Sequence, residues 1–170
     1  MRTEFYWIDG PWPGRLAISS RPRGGDWLED EVRAWQQAGL DMIVSLLTDD
    51  EIADLDLARE AELCQRYDLQ FFTFPIVDRS VPSSRRQTLD FVRKLNDALT
   101  EGKNLLIHCR QGIGRAALIA ACLLILSGED SETAFQRVSA ARSVSVPETS
   151  EQRKWVIKFA QALSVPVAEV

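Results

Sequence analysis

Short apolar runs alternate along this chain with longer segments in which apolar residues recur every three or four positions. Runs that are apolar throughout are typical of strands buried on both faces of a sheet, and the longer spacing is typical of helices with one buried side. The pattern predicts strands at residues 16–19, 41–47, 70–75 and 104–108. It predicts helices from about residue 26 to 39, from Ser83 or Ser84 to Gly102, and at residues 55–67, 115–126, 132–141 and 148–163.

Strand and helix follow one another closely, which implies right-handed crossovers between parallel strands. The expected fold is therefore α/β, with a central, largely parallel sheet of about four to five strands and helices on both faces. The segment 115–126 is apolar on nearly all sides and is expected to be a central buried helix. Polar loops are expected at residues 48–51 and 76–82, and Ser131 is expected to cap the helix that follows it.

Composition is that of an ordinary globular protein. The chain has 170 residues, 45% hydrophobic and 26% charged, so one domain over residues 1–170 is expected. The formal net charge of −5 argues against partners such as nucleic acid or an anionic membrane, which usually require a basic excess. The N-terminus lacks the apolar run of a signal peptide, and the apolar stretch 116–126 is too short to span a bilayer, so a cytoplasmic location is expected.

Cysteine and histidine are too few for several other classes of site. The 3 cysteines have no paired spacing, and His108 is the single histidine of the chain. These counts argue against a disulfide scaffold, structural zinc, a histidine-based metal site and a Ser-His triad, so we expect neither a metal nor a cofactor. Cys64 and Cys122 lie at apolar positions of predicted helices and are expected to be core residues.

One stretch, residues 105–118, joins an apolar strand, a cysteine, two glycines and the start of an apolar helix. Cys109 and Arg115 have the C-x5-R spacing, and Gly112 and Gly114 between them let backbone amides converge on one point. Amides at a helix N-terminus favour the nucleophilic thiolate form of a cysteine, and an arginine can bind two phosphate oxygens at once. The residues alone also allow a buried strand cysteine, a helix-capping glycine pair and a solvated arginine.

At these positions the sequence resembles the cysteine-based protein tyrosine phosphatases, whose signature is His-Cys-x-x-Gly-x-x-Arg followed by Ser or Thr. His108, Cys109, Gly112 and Arg115 match this signature. Ala116 departs from it, because the family has a hydroxyl there that hydrogen-bonds the cysteine sulfur and helps it leave. The short chain and its Ala-rich helix are most similar to the dual-specificity branch, in particular to the group related to the cyclin-dependent kinase inhibitor 3 phosphatases.

The resemblance implies a dual-specificity phosphatase-like fold and a phosphomonoester hydrolase that works through a phosphocysteine intermediate. Cys109 would be the nucleophile, and Arg115 would bind the phosphate together with backbone amides. The phosphate loop that the resemblance implies also contains His108, Arg110, Gln111, Gly112, Ile113, Gly114 and Ala116.

A proton donor for the departing alcohol is also implied. Asp78 lies 31 residues before Cys109, after a predicted strand, in the segment 75–78 that is similar to the acid-bearing loop of the family. It would act as general acid and then, by activating water, as general base. Asp49 and Asp50 are rival acids that also follow a strand, and a structural role of Asp78 in a turn is the alternative.

Three other polar residues receive roles away from the phosphate. His108 is expected to hold the cysteine region by hydrogen bonds rather than to act as a base. Gln152 is expected to be solvated, with the orientation of a water molecule as the alternative. Arg142 is expected to be surface charge.

The expected substrate is a phosphorylated protein or peptide that carries phosphotyrosine, phosphoserine or phosphothreonine. Inositol-lipid phosphatases of this superfamily have lysines inside the cradle, whereas Gln111 and Ile113 are uncharged, so a phosphoinositide ranks below a phosphoprotein. A small phosphorylated metabolite stays open. Because Ala116 lacks the hydroxyl, a phosphate-binding pseudophosphatase without turnover is a rival, as is a sulfur-transfer or arsenate-reducing enzyme that depends on thiols.

Overall fold

A five-stranded sheet forms the centre of the computed structural model, which describes residues 3–164. Its strands are β1 (Phe5–Ile8), β2 (Leu16–Ser19), β3 (Met42–Ser45), β4 (Gln70–Thr73) and β5 (Leu105–His108). The order in the sheet is β1-β2-β5-β3-β4, with β1 antiparallel to β2 and all other neighbours parallel. The largely parallel sheet that the strand pattern predicts is therefore confirmed.

Helices cover both faces of this sheet. They are α1 (Leu28–Gln37), which follows a 3-10 turn at Gly25–Trp27, α2 (Asp49–Asp54), α3 (Glu60–Arg66), α4 (Arg85–Thr100), α5 (Arg115–Leu126), α6 (Ser131–Arg142) and α7 (Ser150–Leu163). Side chains of α4 to α7 form one apolar layer on the sheet, and side chains of α1 and α3 form the layer on the opposite face. Within residues 3–164, none of the helices combines the length and the apolar character needed to cross a membrane.

Strand β5 runs through the middle of the sheet and supplies both layers. Leu105 and Ile107 belong to the layer of α5, whereas Leu106 belongs to the layer of α1, and all three are fully buried. Burial of each such side chain contributes ~1.5–3 kcal/mol. A central parallel strand must be apolar on both faces, which is why its sequence reads as a continuous apolar run.

The parallel strands end in register at one edge of the sheet. His108, at the end of β5, pairs with Ser19 at the end of β2 on one side and with Ser45 at the end of β3 on the other. Ser45 in turn pairs with Thr73 at the end of β4. The loops that follow such carboxyl ends form the ligand crevice of open α/β sheets. The loop after β5 and the loop after β4 therefore meet at this edge, beside the N-terminus of α5.

Two elements differ from the predicted pattern near this edge. Residues 48–51 form the start of α2 instead of a loop, because the Thr48 hydroxyl accepts a hydrogen bond from the N–H of Glu51 while the Glu51 carboxylate accepts one from the N–H of Thr48. The helix predicted at residues 55–67 begins only at Glu60, since Asp56 has a left-handed backbone with a φ of +55°.

Two further differences lie elsewhere in the chain. Strand β1 was not predicted, because Phe5–Ile8 is an edge strand that is only half-buried and lacks a clear alternation. Helix α6 is capped by Asp130, whose carboxylate accepts the Thr133 N–H at 2.7 Å, rather than by Ser131. The cap of α4 is expected near Ser83 or Ser84, and the structure assigns it to Ser84, whose hydroxyl accepts the Gln87 N–H at 3.2 Å.

Candidate active site

The Cys109 sulfur lies at the N-terminus of helix α5, in the loop of residues 109–115, called here the cysteine loop. It accepts hydrogen bonds from the backbone N–H of Gly112 at 3.2 Å and of Ala116 at 3.4 Å. Cys109 is almost fully buried. The two amides thus point at the sulfur from the N-terminal end of α5, where the helix dipole is positive.

Gly112 determines how closely the cysteine loop can approach the sheet. Its φ is +74°, in the left-handed region, and a Cβ on this residue would lie 2.6 Å from the carbonyl carbon of Ser19. No residue with a side chain fits here without moving the end of β2. Glycine at this position therefore allows the loop to pack against Ser19 while the Gly112 N–H faces the sulfur.

Arg115 is buried, and its four terminal N–H groups all have partners. Nη1 donates to Glu51 Oε1 at 2.6 Å and to the Ile76 carbonyl at 2.8 Å, whereas Nη2 donates to Glu51 Oε2 at 2.9 Å and to Asp78 Oδ1 at 3.0 Å. Glu51 and Ile76 are buried, but the Asp78 side chain is 46% exposed. Asp78 is therefore the partner that an incoming oxyanion can displace, which leaves Nη2 and Nε to bind two of its oxygens.

Glu51 compensates the buried charge of Arg115. Burial by itself raises the pKa of Glu51, but hydrogen bonds from Arg115 and from the Thr48 N–H, the charge of Arg115 and a contact from Arg110 outweigh it and lower the pKa from 4.5 to about 2. Burial lowers the pKa of Arg115, and the same pairing with Glu51 outweighs that effect and raises it. Sequence reasoning did not assign Glu51 to the site; the Thr48-x-x-Glu51 spacing signals the helix cap only.

The loop of residues 76–82, called here the Asp78 loop, lies between β4 and α4 and contacts Arg115 at the end of the cysteine loop. The structure brings Asp78 to Arg115, as its predicted role requires. Asp49 and Asp50, the rival acids, are exposed on the first turn of α2. Of the three candidates, Asp78 is the one that contacts Arg115.

The remaining predicted members of the cysteine loop surround the sulfur mainly through their backbone. The Arg110 side chain is half-exposed and lies 3.4 Å from Glu51 Oε2. Gln111 is exposed, and Ile113 is partly buried. Gly114 precedes α5, and a Cβ on it would lie 3.1 Å from side-chain atoms of α7 and of the segment before it.

Arg142 and Gln152 differ from their predicted surface roles. Arg142 donates from Nε to the Gly112 carbonyl and from Nη2 to the Gln111 carbonyl, both at 3.2 Å, so it fastens the cysteine loop to the end of α6. Gln152 is fully buried and donates to the Ser80 carbonyl at 3.0 Å. The expectations that Arg142 is free surface charge and that Gln152 is solvated are both wrong, because contacts across the fold cover them.

The His108 side chain lies on the opposite face of the sheet from Cys109, because successive strand residues alternate in direction. Its Nε2 lies 2.5 Å from Glu60 Oε1, and its ring stacks on Trp35 with centroids 6.2 Å apart. Within the described residues, the buried Nδ1 has no hydrogen-bond partner. The side chain of His108 is therefore outside the anion cradle, and its partner Glu60 was not identified from the sequence.

Cys64 and Cys122 are fully buried, as predicted. Burial, with the charge of Glu60 as a second cause, raises the pKa of the Cys64 thiol, and burial raises the pKa of the Cys122 thiol. Cys64 belongs to the apolar layer opposite Cys109, so the sheet separates the two. Among the three cysteines, Cys109 is the one whose sulfur accepts backbone N–H groups in the described structure.

Known proteins are similar to this chain in sequence. A family profile described as "PTP-SAK: Swiss Army Knife protein, DSP-PTPase phosphatase domain" matches residues 3–162. The chain is 29% identical over 154 residues to "Putative tyrosine phosphatase 197R" of Invertebrate iridescent virus 6, a match that covers 89% of this chain. It is 24% identical over 140 residues to "Cyclin-dependent kinase inhibitor 3" of Rattus norvegicus, which covers 81% of this chain.

A solved structure agrees at the level of the fold. Kinase associated phosphatase, crystallised with its catalytic-site cysteine substituted by serine, has a TM-score of 0.87 and 19% identity, over 98% of this chain and 99% of that chain. The chain spans 54% of the length of the viral relative and 65% of the rat relative. Because the profile covers nearly the whole chain, this protein belongs to the DSP-PTPase phosphatase domain family of dual-specificity and tyrosine phosphatases.

Proposed function

We propose that this chain hydrolyses phosphomonoesters of proteins or peptides through a phosphocysteine intermediate. Cys109 is the nucleophile, Arg115 and the amides of the cysteine loop bind the phosphate, and Asp78 is the general acid. The observation that carries this proposal is the bond between Asp78 and Arg115, which joins an exposed acid to a buried cation at the loop around the Cys109 sulfur. Nucleophile, anion ligand and proton donor thus occupy one site, as covalent catalysis requires.

The first step forms the phosphocysteine. The phosphate takes the place of the Asp78 carboxylate on Arg115, and the thiolate of Cys109 attacks phosphorus. The bond between phosphorus and the ester oxygen breaks, and the departing oxygen keeps the electron pair and receives a proton from Asp78. Arg115 and the loop amides stabilise the charge that spreads over the other phosphate oxygens.

The second step releases phosphate. Water attacks the phosphorus, its proton passes to the Asp78 carboxylate, and the bond between phosphorus and sulfur breaks to restore the thiolate. The departing sulfur receives the N–H groups of Gly112 and Ala116 at 3.2 and 3.4 Å. Ala116 adds no hydroxyl to these donors, so backbone amides alone stabilise the leaving thiolate.

A phosphoprotein is the proposed substrate class. The side chains of Gln111 and Ile113 supply no cation for a second phosphate, which supports a single phosphomonoester over a phosphoinositide. The viral relative is named a tyrosine phosphatase, the rat relative a cyclin-dependent kinase inhibitor, and the solved structure a kinase associated phosphatase. These names agree with a protein substrate. A panel of phosphotyrosine, phosphoserine and phosphothreonine peptides, compared with phosphoinositides, determines the preference.

Hydrolysis of aryl phosphates tests the mechanism. Cys109→Ser should abolish phosphate release, and Asp78→Asn should reduce the rate on phenyl phosphate by ~10²- to 10⁴-fold, but much less on nitrophenyl phosphate, whose leaving group needs little protonation. Asp50→Asn is the matched control, because Asp50 is an exposed aspartate that also follows a strand, and this variant should retain full activity.

Three results would count against this proposal. Equal losses of Asp78→Asn on both esters would remove Asp78 as the acid. Tight binding of vanadate without any release of phosphate would make the chain a phosphate-binding module. Loss of activity in Cys64→Ser or Cys122→Ser would instead support thiol-dependent sulfur transfer or arsenate reduction.

A further inference from the structure

Three consecutive residues of the Asp78 loop are each fastened to another part of the molecule. Asp78 bonds to Arg115 at 3.0 Å, as described above. Arg79 Nη1 donates to Glu148 Oε1 at 2.6 Å, and the Ser80 carbonyl accepts the Nε2 of Gln152 at 3.0 Å. The last two contacts both lead to the segment at the start of α7, which takes no part in the chemistry proposed above.

This segment also touches the cysteine loop. A Cβ on Gly114 would lie 3.1 Å from Glu148 Oε2 and 3.1 Å from Gln152 Nε2, so both side chains rest directly against that glycine. Gln152 is held rigidly, because it is fully buried and forms a capping box with Thr149. Glu148 is 21% exposed and uses its two oxygens differently, one on Arg79 and the other against Gly114.

The backbone of the Asp78 loop needs such support. Arg79 has a φ of +60°, in the left-handed region that residues with long side chains seldom adopt. Such conformations persist where the surrounding structure compensates their cost. The ion pair of Arg79 with Glu148 is the contact made by this side chain, so it compensates the strained residue next to Asp78.

We infer that Glu148 is a positioning residue for the general-acid step, since it holds the Asp78 loop against the cysteine loop through Arg79. One carboxylate contacts both loops and thereby sets the distance from which Asp78 reaches the ester oxygen. The inference rests on the proposed function, in which Asp78 is the acid. Because Arg79 is 63% exposed, the pair has the strength of a partly exposed ion pair, equivalent to an effect of ~2- to 5-fold.

A double-mutant cycle tests this inference on the intact chain. Arg79→Ala and Glu148→Ala should each lower kcat/KM on phenyl phosphate by ~2- to 5-fold, and the double variant should lose no more than either single one. The rate on nitrophenyl phosphate should stay nearly unchanged, because its leaving group needs little protonation. Inorganic phosphate should inhibit the variants at least as strongly as the wild type, because it displaces Asp78 from Arg115 when it binds. Arg79→Lys should retain most of the activity, since it keeps the charge.

Salt and a matched control separate this role from a general structural one. At ~1 M salt the screening length is ~3 Å, so the ion pair is weakened. The ratio of kcat/KM on phenyl phosphate to kcat/KM on nitrophenyl phosphate should then move, in the wild type, toward the ratio measured for the variants. Glu129→Ala is the control, because it breaks a partly exposed ion pair of 3.0 Å with Arg137, just after the other end of α5. It should leave the ratio between the esters unchanged.

The possible failures can be told apart when Asp78→Asn is measured beside these variants. If Asp78→Asn affects the two esters differently but Glu148→Ala does not, the positioning role of Glu148 is overturned while the proposed acid stands. Additive losses in the double variant, or weaker inhibition by inorganic phosphate, would also overturn it. If Asp78→Asn itself fails to discriminate between the esters, the proposed function fails first.

Discussion

Replacement of Glu51 by glutamine should destabilise the protein in a way that depends on pH. The carboxylate is nearly buried and its pKa is held at about 2, compared with 4.5 for an unperturbed glutamate. Each pKa unit corresponds to ~1.4 kcal/mol, so the difference of 2.5 units between 4.5 and 2 is equivalent to about 3 kcal/mol of stability at neutral pH. The raised pKa of Arg115 reports the same pairing and is not counted again.

The direction of the pH effect follows from proton binding. Between a pH of about 2 and 4.5 the unfolded chain binds the proton at Glu51 and the folded chain does not, so stability rises with pH across this window. The contribution is fully present above pH 4.5 and is lost as the pH falls toward 2. Glu51→Gln should therefore unfold more easily than the wild type by about 3 kcal/mol at pH ~7, and by only about half as much at pH ~3.

Urea unfolding, followed by tryptophan fluorescence at several pH values, measures this difference. Asp50→Asn is the matched control, because Asp50 lies on the same helical turn but is exposed, and its unfolding free energy should follow that of the wild type. A difference between Glu51→Gln and wild type that stays constant with pH would refute the assignment of the pairing to an ionised Glu51. Activity should fall with stability at neutral pH, because a neutral amide no longer holds Arg115 by two charged bonds.

Two further predictions concern the buried pair of His108 and Glu60 and the surroundings of the Cys109 sulfur. Glu60→Ala leaves the buried His108 Nε2 without its partner, in a pocket where Nδ1 already lacks one, and should lower the free energy of unfolding by ~1–3 kcal/mol in a urea titration. Glu62→Ala, at an exposed position of the same helix, should not lower it. An unchanged midpoint for Glu60→Ala would show that the pair is dispensable. Ala116→Ser adds a hydroxyl beside the Cys109 sulfur. It should speed phosphocysteine breakdown by ~10- to 100-fold in rapid-quench experiments, since a hydrogen bond to a charged group contributes ~1.5–3 kcal/mol. An unchanged breakdown rate would mean that the amides already suffice.

Local sequence accounts for the parts of this protein that are contiguous in the chain. The apolar run of β5, the glycines after Cys109 and the apolar segment of α5 predict a strand, a turn and a buried helix because each depends on neighbouring residues. The alternation of such segments predicts the parallel sheet, and the parallel sheet predicts that Asp78 and Cys109 follow strands at one edge. The resemblance to a known family added the role of Asp78, which spacing alone left open.

Only the tertiary structure decided how the charges of the site are balanced. Glu51 is 64 residues from Arg115, Glu60 is 48 residues from His108, and Gln152 is 72 residues from Ser80 in the sequence. No local pattern links these pairs, because each one depends on the angle at which a helix packs against the edge of the sheet. A buried charged or amide group needs a hydrogen-bond partner, and the folded chain supplies it from a distant part of the sequence. The roles of Glu51, Glu60 and Gln152 therefore cannot be predicted from their neighbours in the sequence.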